Sequence, residues 1–471
     1  MRAILIIILI IIYGVAMLTS SRTFTLSGLT LTALMLSACS AGTAEPRNAA
    51  ASSAAATPAA ASPSEEATGA RQEVASLTPR AVLTYDGGLM TVDAGSGEVV
   101  ATTEHEGFLR LNNAGDGRHV LVSDGDAFRL FDTGLVDRAH GDHSHYYEQD
   151  PALTGTALQA SEAGHVVVHE GKTALFDDGT GDIQVMDSTA FSDGQVDEQE
   201  VTEHAAEAAH HGVAVPLADG NLLLTQGTEE ARDTVQVVTP DGAVAAETTG
   251  CPGVHGEAAA QPTAQGDVVS LGCENGPVVY RDGAFHKVTV AEGYQRSGNQ
   301  FGSHDSPIVL ADYKTDADAE QERPTRIGLI DTRADSIRTV DLGSAYWFRS
   351  LARGPEGEAL VLTYDGQLNI LDEQTGEVLH EVPVVGAWEE PAEWQEPGPA
   401  VEVAGDRAYV TDAAAKKLHV VDIAAGTVVD SFDLPETPNE IAVVTGNPEA
   451  PAAAEAGHGG DDHGDHEEHD H

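Results

Sequence analysis

Basic residues are scarce in this chain: 24 Lys and Arg stand against 76 Asp and Glu, a formal net charge of −52. No Lys/Arg cluster exists that could neutralise a run of phosphates, which excludes nucleic acid as a partner. The acidic excess suits a solvated surface or an attractor of cations. Thiol and thioether donors are nearly absent, with three Cys and five Met in 471 residues. Only Met90 and Met186 lie beyond the first 38 residues, so a copper(I) site, which favours sulfur ligands, is a poor match. Long 3.6-residue periodicity is also missing, apart from a brief Ala/Glu/His stretch near 203–211, so the folded body is not helical.

What is present begins with the N-terminus. Residues 1–38 are strongly apolar and almost uncharged, and they end in Leu36-Ser37-Ala38-Cys39. Small residues ahead of a cysteine are the arrangement that lipoprotein processing needs, with the Cys39 thiol lipidated and the leader removed before it. Two apolar runs, 3–18 and 24–38, are one more than a leader needs; a start at Met17 gives the usual order of charged, apolar and cleavage regions. A doubly acylated Cys39 anchors stably where a single chain is marginal, which predicts an extracytoplasmic protein held on the outer face of the cell membrane. Residues 39–78, rich in Ala, Ser, Thr, Pro and Glu, carry too little large apolar content to fold and read as a disordered tether. With Cys39 assigned to lipid, Cys251 and Cys273 remain, and in an oxidising compartment two cysteines of one domain are expected to pair. That bridge leaves no thiol for a cysteine enzyme.

From 79 to 445 the sequence consists of short apolar runs separated by Gly/Asp turns, the pattern of an all-β body. Aligning the strand-turn-strand pieces gives eight units, the clearest being 358–382 and 407–434. The turn aspartates Asp93, Asp372 and Asp422 mark equivalent points, and the spread from Asp93 to Asp422 over seven steps is 47 residues per unit. A period of that length indicates β-propeller blades. Eight blades are expected, or seven if 119–134 or 166–187 is not a complete blade. Short segments ahead of the units, 108–112, 154–160, 213–217 and 256–261, supply the innermost strands. The first unit lacks one, and 439–444 can fill the gap, closing the ring by pairing the C-terminal strand into the N-terminal blade and removing exposed sheet edges.

Twenty histidines is a high number, and their placement divides them. His119, His165, His169, His286, His380 and His419 fall in or beside outer strands, where a His is ordinarily a packing or surface residue. A second group falls at the connections between units: His105, then His140, His143 and His145, then His204, His210 and His211, then His255, then His304. Those connections converge on the mouth of the central channel, and later ones carry Trp347, Trp388 and Trp394 instead. Neutral imidazole is a good zinc ligand, and tetrahedral sites take three or four ligands from distant segments. A mouth site drawing on His105, His145, His255 and His304 is expected, with Asp305 and Glu257 as ligands or orienting groups. In the loop 140–151, alternating His143 and His145 can reach one ion from an extended backbone. The C-terminal segment 446–471 ends in HGGDDHGDHEEHDH, where His458, His463, His466, His469 and His471 stand among six carboxylates with no apolar residue. Such a tract gives fast, exchangeable capture of zinc, nickel or copper(II), and His140 belongs with it as an accessory capture residue.

The loop 140–147, the run Cys251-Pro252-Gly253-Val254-His255-Gly256-Glu257 and the run Gly302-Ser303-His304-Asp305 resemble the AztD zinc metallochaperones, across most of 78–444. That resemblance implies a propeller that holds Zn2+ at the channel mouth and passes it to the solute-binding protein of an ABC-type zinc importer. The competing readings are a propeller enzyme, either a quinoprotein-like dehydrogenase or a zinc hydrolase, and a protein-binding propeller with incidental histidines. Quinoprotein propellers carry a Trp-ended docking repeat in nearly every blade, whereas the three Trp here fall in two junctions. A non-enzymatic carrier is the leading expectation.

Overall fold

The computed structural model describes residues 71–448, except 142, 229 and 320. The leader, Cys39, the tether up to residue 70 and the histidines at 458, 463, 466, 469 and 471 lie outside the described residues.

The described chain is all-β. It forms eight four-stranded antiparallel sheets and one three-stranded sheet, with two short 3-10 turns between strands. The local reason is turn chemistry. Asp93, Asp372 and Asp422 each accept a hydrogen bond from the backbone N–H three residues on, at 2.8, 2.7 and 2.8 Å. The glycine that follows, Gly97, Gly376 or Gly426, takes the left-handed conformation that closes the turn. These turns join the third and fourth strands of their sheets, and the hydrophobic runs between turns become the two middle strands. Middle strands such as Arg80–Tyr85 and Arg407–Asp412 are buried almost throughout, whereas fourth strands such as Val244–Thr248 stay largely exposed.

Each sheet packs its faces on its neighbours. Val82, Leu89 and Leu111 join Val120 and Phe131 between the first and second sheets; Tyr409 and Leu418 join Leu83 and Met90 between the eighth and the first. The C-terminal strand Ile441–Val444 pairs antiparallel with Arg80–Tyr85, placing Arg80 opposite Val444. The first sheet is therefore assembled from both ends of the described chain, as expected for 439–444.

Two boundaries differ from expectation. Segment 154–160 is not an innermost strand: Ala152–Gln159 is the outermost strand of the second sheet, paired with Ala127–Asp132. The innermost strand of the third sheet is Ala163–His169 itself. The cause is an inserted hairpin, Leu135–His140 with His143–Glu148, which separates the third and fourth strands of the second sheet and shifts the apparent repeat. The tether boundary at 78 is also too late, because Gln72–Val74 pairs with His143–Glu148 as the third strand of the hairpin's sheet. Glu73 and Val74 find partners in that hairpin, which local composition does not reveal.

Candidate metal centre

Three groups of side chains among the described residues bring metal-ligating atoms within 4.8 Å of one another: His140, His143 and His145; His165, His211 and His255; and His169, Glu170 and His304. The expected four-residue site does not form as drawn, since His145, His255 and His304 fall in different groups and His105 in none. His105 instead places Nε2 3.0 Å from Asp124, whose carboxylate also receives Arg129. His304 and Asp305 occupy the turn between the first two strands of the sixth sheet, Gln300–Ser303 and Ser306–Asp312, rather than a connection between sheets. In a four-stranded antiparallel sheet that turn lies at the opposite end from the connection that delivers the first strand. The 140–145 hairpin is likewise an insertion, not a junction.

The second group is the most constrained. His165 stands on the innermost strand Ala163–His169; His211 and His255 sit on the connections that lead into the fourth and fifth sheets. All three rings are half-buried. The His211 and His255 rings have centroids 5.0 Å apart, and the His165 centroid lies 4.8 and 5.6 Å from them. Their outer nitrogens are held. Nδ1 of His211 is 2.5 Å from Asp178 Oδ2, while Asp178 Oδ1 accepts from Gly212 N. His255 Nδ1 donates to Gly298 O at 2.7 Å. His165 Nδ1 lies 3.6 Å from Glu257 Oε2, so Glu257 joins this site beside a histidine rather than apart from it.

A backbone carbonyl can only accept, so the proton of neutral His255 is on Nδ1 and its Nε2 carries a lone pair. The Asp178 carboxylate assigns His211 the same tautomer. With both rings in that tautomer, the two Nε2 lone pairs face each other at 3.1 Å, an arrangement that a shared cation satisfies. Burial, reinforced by His165 and His211, pushes the His255 imidazole well below its ordinary range. Two nitrogens bound to one tetrahedral zinc at ~2.0–2.1 Å stand roughly 3.3 Å apart, close to the observed spacing.

Local chain features fix the His255 arm. The Cys251–Cys273 disulfide forms, as expected, with S–S 2.03 Å. His255 N donates to Gly272 O and Gly272 N to Gly256 O, so the bridge and two backbone bonds pin both sides of the loop. A Cβ on Gly272 would meet Ser297 O at 1.8 Å, and one on Gly256 would meet Gly298 O at 2.3 Å, which leaves room for glycine alone. The neighbouring His210 has another role: it is fully buried, with Nδ1 to Ala208 O and Nε2 to Thr225 Oγ1, both nitrogens engaged in the core.

The hairpin group is more exposed. His140 lies opposite His143 across the hairpin, and His145 follows at the alternate position. Nε2 atoms of His143 and His145 are 3.3 Å apart, and the His140 ring lies 5.2 and 5.5 Å from theirs. Glu73 meets His145 Nδ1 at 2.9 Å, fixing its orientation from the adjoining strand.

His165, His169 and His211 were absent from the expected site. A signal for two of them existed: His165, His211 and His255 recur at nearly the repeat length. His165 and His169, expected beside outer strands, stand on the innermost strand Ala163–His169, while 154–160, expected as an inner strand, is outermost in its sheet. His304 keeps the same spacing, yet it follows its sheet's inner strand instead of preceding it.

An all-β body of four-stranded antiparallel sheets, with clustered imidazoles that could hold a metal ion, is consistent with a scaffold of the β-propeller type. The curated zinc chaperone AztD of Citrobacter koseri is 28% identical to the chain over 372 residues, 76% of this chain and 83% of that protein. The apo structure of Citrobacter koseri AztD matches with TM-score 0.66 at 24% identity, covering 80% of this chain and all of that one. A second crystal structure of Citrobacter koseri AztD matches with TM-score 0.66 at 25% identity over 79% of this chain and all of that one. The chain is thus similar to AztD in sequence and in fold, as its motifs implied. No family model matches the chain.

Proposed function

We propose that this chain is an extracytoplasmic zinc metallochaperone: it holds Zn2+ on His165, His211 and His255 and passes it to the solute-binding protein of an ABC-type zinc importer. The observation that carries the reading is the facing pair of Nε2 lone pairs on His211 and His255, each ring's other nitrogen already claimed. Imidazole and carboxylate donors without sulfur suit zinc better than copper(I). Three imidazoles leave the fourth tetrahedral position open, and an incoming ligand from an acceptor can enter there, so release proceeds by exchange. The eight four-stranded sheets, with Ile441–Val444 completing the first, support an eight-bladed ring closed at that strand. The exposed hairpin group and the C-terminal histidines would act as capture sites that feed the body. A lipid on Cys39 would keep the carrier on the outer face of the membrane, within reach of the importer.

The similar protein from Citrobacter koseri is named a chaperone, not an enzyme, and the non-enzymatic expectation agrees with that. The test is transfer. Zinc-loaded chain mixed with an apo zinc-binding solute-binding protein should deliver its ion faster than it releases zinc to a chelator that cannot dock. Delivery no faster than that free release would make the chain a zinc sink and overturn the carrier reading.

A further inference from the structure

The connection 384–400 runs from the outermost strand of the seventh sheet, Val378–Pro383, to the innermost strand of the eighth, Val401–Ala404. It contains no strand, yet it is held along its length. Trp388 donates its indole N–H to Thr363 O at 3.1 Å and its backbone N–H to Tyr364 O at 2.8 Å. The Tyr364 hydroxyl donates to Glu390 at 2.7 Å, and Gln321 Nε2 donates to Pro391 O at 2.9 Å. Further on, Arg349 Nη2 donates to Trp394 O at 3.3 Å and Asn439 Nδ2 to Gln395 O at 2.8 Å. Arg349 is itself buried and pairs with Glu440 at 2.6 Å. A segment tied down in this way presents one fixed surface, so a partner that binds it bears little ordering cost.

What this connection presents is Trp394. Its side chain is 45% exposed, the one aromatic among the exposed large hydrophobic residues of the described chain. The others, Val244, Val378, Leu379 and Val429, lie on outermost strands. The Trp394 ring is set edge-on to Phe108, centroids 5.0 Å apart, and the Arg110 guanidinium lies 5.7 Å from its centroid. Phe108 belongs to the connection between the first and second sheets, Asn439 to that between the eighth and first, and Arg349 to that between the sixth and seventh. Exposed carboxylates stand in the same segments: Glu389, Glu393 and Glu396 around Trp394 in sequence, and Glu106 before Phe108. A fixed, exposed Trp on aromatic and cationic support, with charged residues about it, has the anatomy of a binding hot spot. His211 and His255 sit on connections of the same class, which in the eight-bladed ring proposed above all open on one face.

We infer that Trp394, with Phe108 and the carboxylates of Glu389, Glu393 and Glu396, is the docking surface for the zinc acceptor, which meets it with an apolar pocket rimmed by basic side chains. The inference rests on the carrier reading above. It puts the acceptor on the face that carries His211 and His255, where the open ligand position can be reached. Charge complementarity selects this occupant: a second copy of the chain, with its net charge of −52, and an anionic lipid surface are both repelled by the carboxylates.

Stopped-flow transfer from the zinc-loaded full chain to an apo zinc-binding solute-binding protein, run beside release to a chelator that cannot dock, reads this surface. Trp394→Ala should slow transfer about 10–30-fold, the loss of an aromatic hot spot, with zinc content and release to the chelator unchanged. Arg349 bonds the Trp394 carbonyl, so the substitution leaves that tie in place. Trp394→Phe, which keeps a ring against Phe108, should retain most of the rate. Glu393→Lys combined with Glu396→Lys should slow transfer and flatten its dependence on salt. Transfer from Trp394→Ala at the unaltered rate, while the unaltered chain still outpaces free release, overturns the docking surface and leaves the carrier reading standing. An unaltered chain no faster than free release overturns both. Self-association, or binding to phosphatidylglycerol vesicles, that Trp394→Ala abolishes without slowing transfer gives the surface another occupant and also overturns the inference.

Discussion

The Nε2 atoms of His211 and His255 face each other at 3.1 Å, although the residues are 44 positions apart and arrive on different connections between sheets. Asp178 and the Gly298 carbonyl hold the far side of each ring, so the pair is organised for an ion before any ion arrives.

In the proposed site, replacing either ring would remove a ligand. His211→Ala and His255→Ala should each weaken zinc binding by more than ~100-fold in a competition titration against a chromophoric chelator. Asp178→Asn keeps all three rings but loses the anionic partner of His211; the expected loss is smaller, about 10–100-fold. Wild-type affinity in Asp178→Asn would show that the His211 orientation does not depend on that carboxylate.

The disulfide supports the same arm. Replacing Cys251 and Cys273 with alanine opens a loop spanning 22 residues in sequence, at a cost of roughly 3 kcal/mol in unfolding free energy measured by denaturant titration. Because His255 N and Gly256 O are bonded to Gly272, next to Cys273, zinc affinity should fall along with stability. A stability loss with unchanged affinity would separate the bridge from the site.

Capture and holding should separate at the hairpin. His143→Ala is expected to slow zinc loading in stopped-flow mixing and to remove a weakly held ion, while the tight site at His211 and His255 keeps its affinity. Loading as fast as in the unaltered chain would leave the hairpin without a capture role.

His419 reports on pH. It is 7% exposed, and burial lowers its imidazole from the ordinary range. An unfolded His419 takes up a proton near pH 6.5 while the folded one resists it, so its contribution to stability is complete above that pH and is lost as pH falls toward the folded value. Zinc-free His419→Gln should therefore show a shallower fall in melting temperature between pH 7 and 5 than the unaltered chain. Equal slopes would mean that His419 is not titrating with folding.

Much of the architecture was legible in the chain. Asp93, Asp372 and Asp422 form equivalent turns, and the strand that completes the first sheet lies where the missing piece of the first unit placed it. Cys251 and Cys273 pair because they were the two cysteines left in one domain. The site was legible only in part. His255 and Glu257 do sit together and His143 does face His145, but His165 and His169 stand on an inner rather than an outer strand, and His304 lies at the opposite end of its sheet from the connection expected to carry it.

Sequence alone determined the strand period, the turn positions, the acidic surface and the choice of nitrogen over sulfur donors, because each depends on composition or on neighbours a few residues away. Tertiary structure decided which imidazoles stand within reach of one ion. That choice depends on which strand is innermost in each sheet, and the inserted hairpin 135–148 shifts the apparent repeat so that 154–160 reads as an inner strand when it is an outermost one. One strand thereby brings His165 to one cluster and His169 to another.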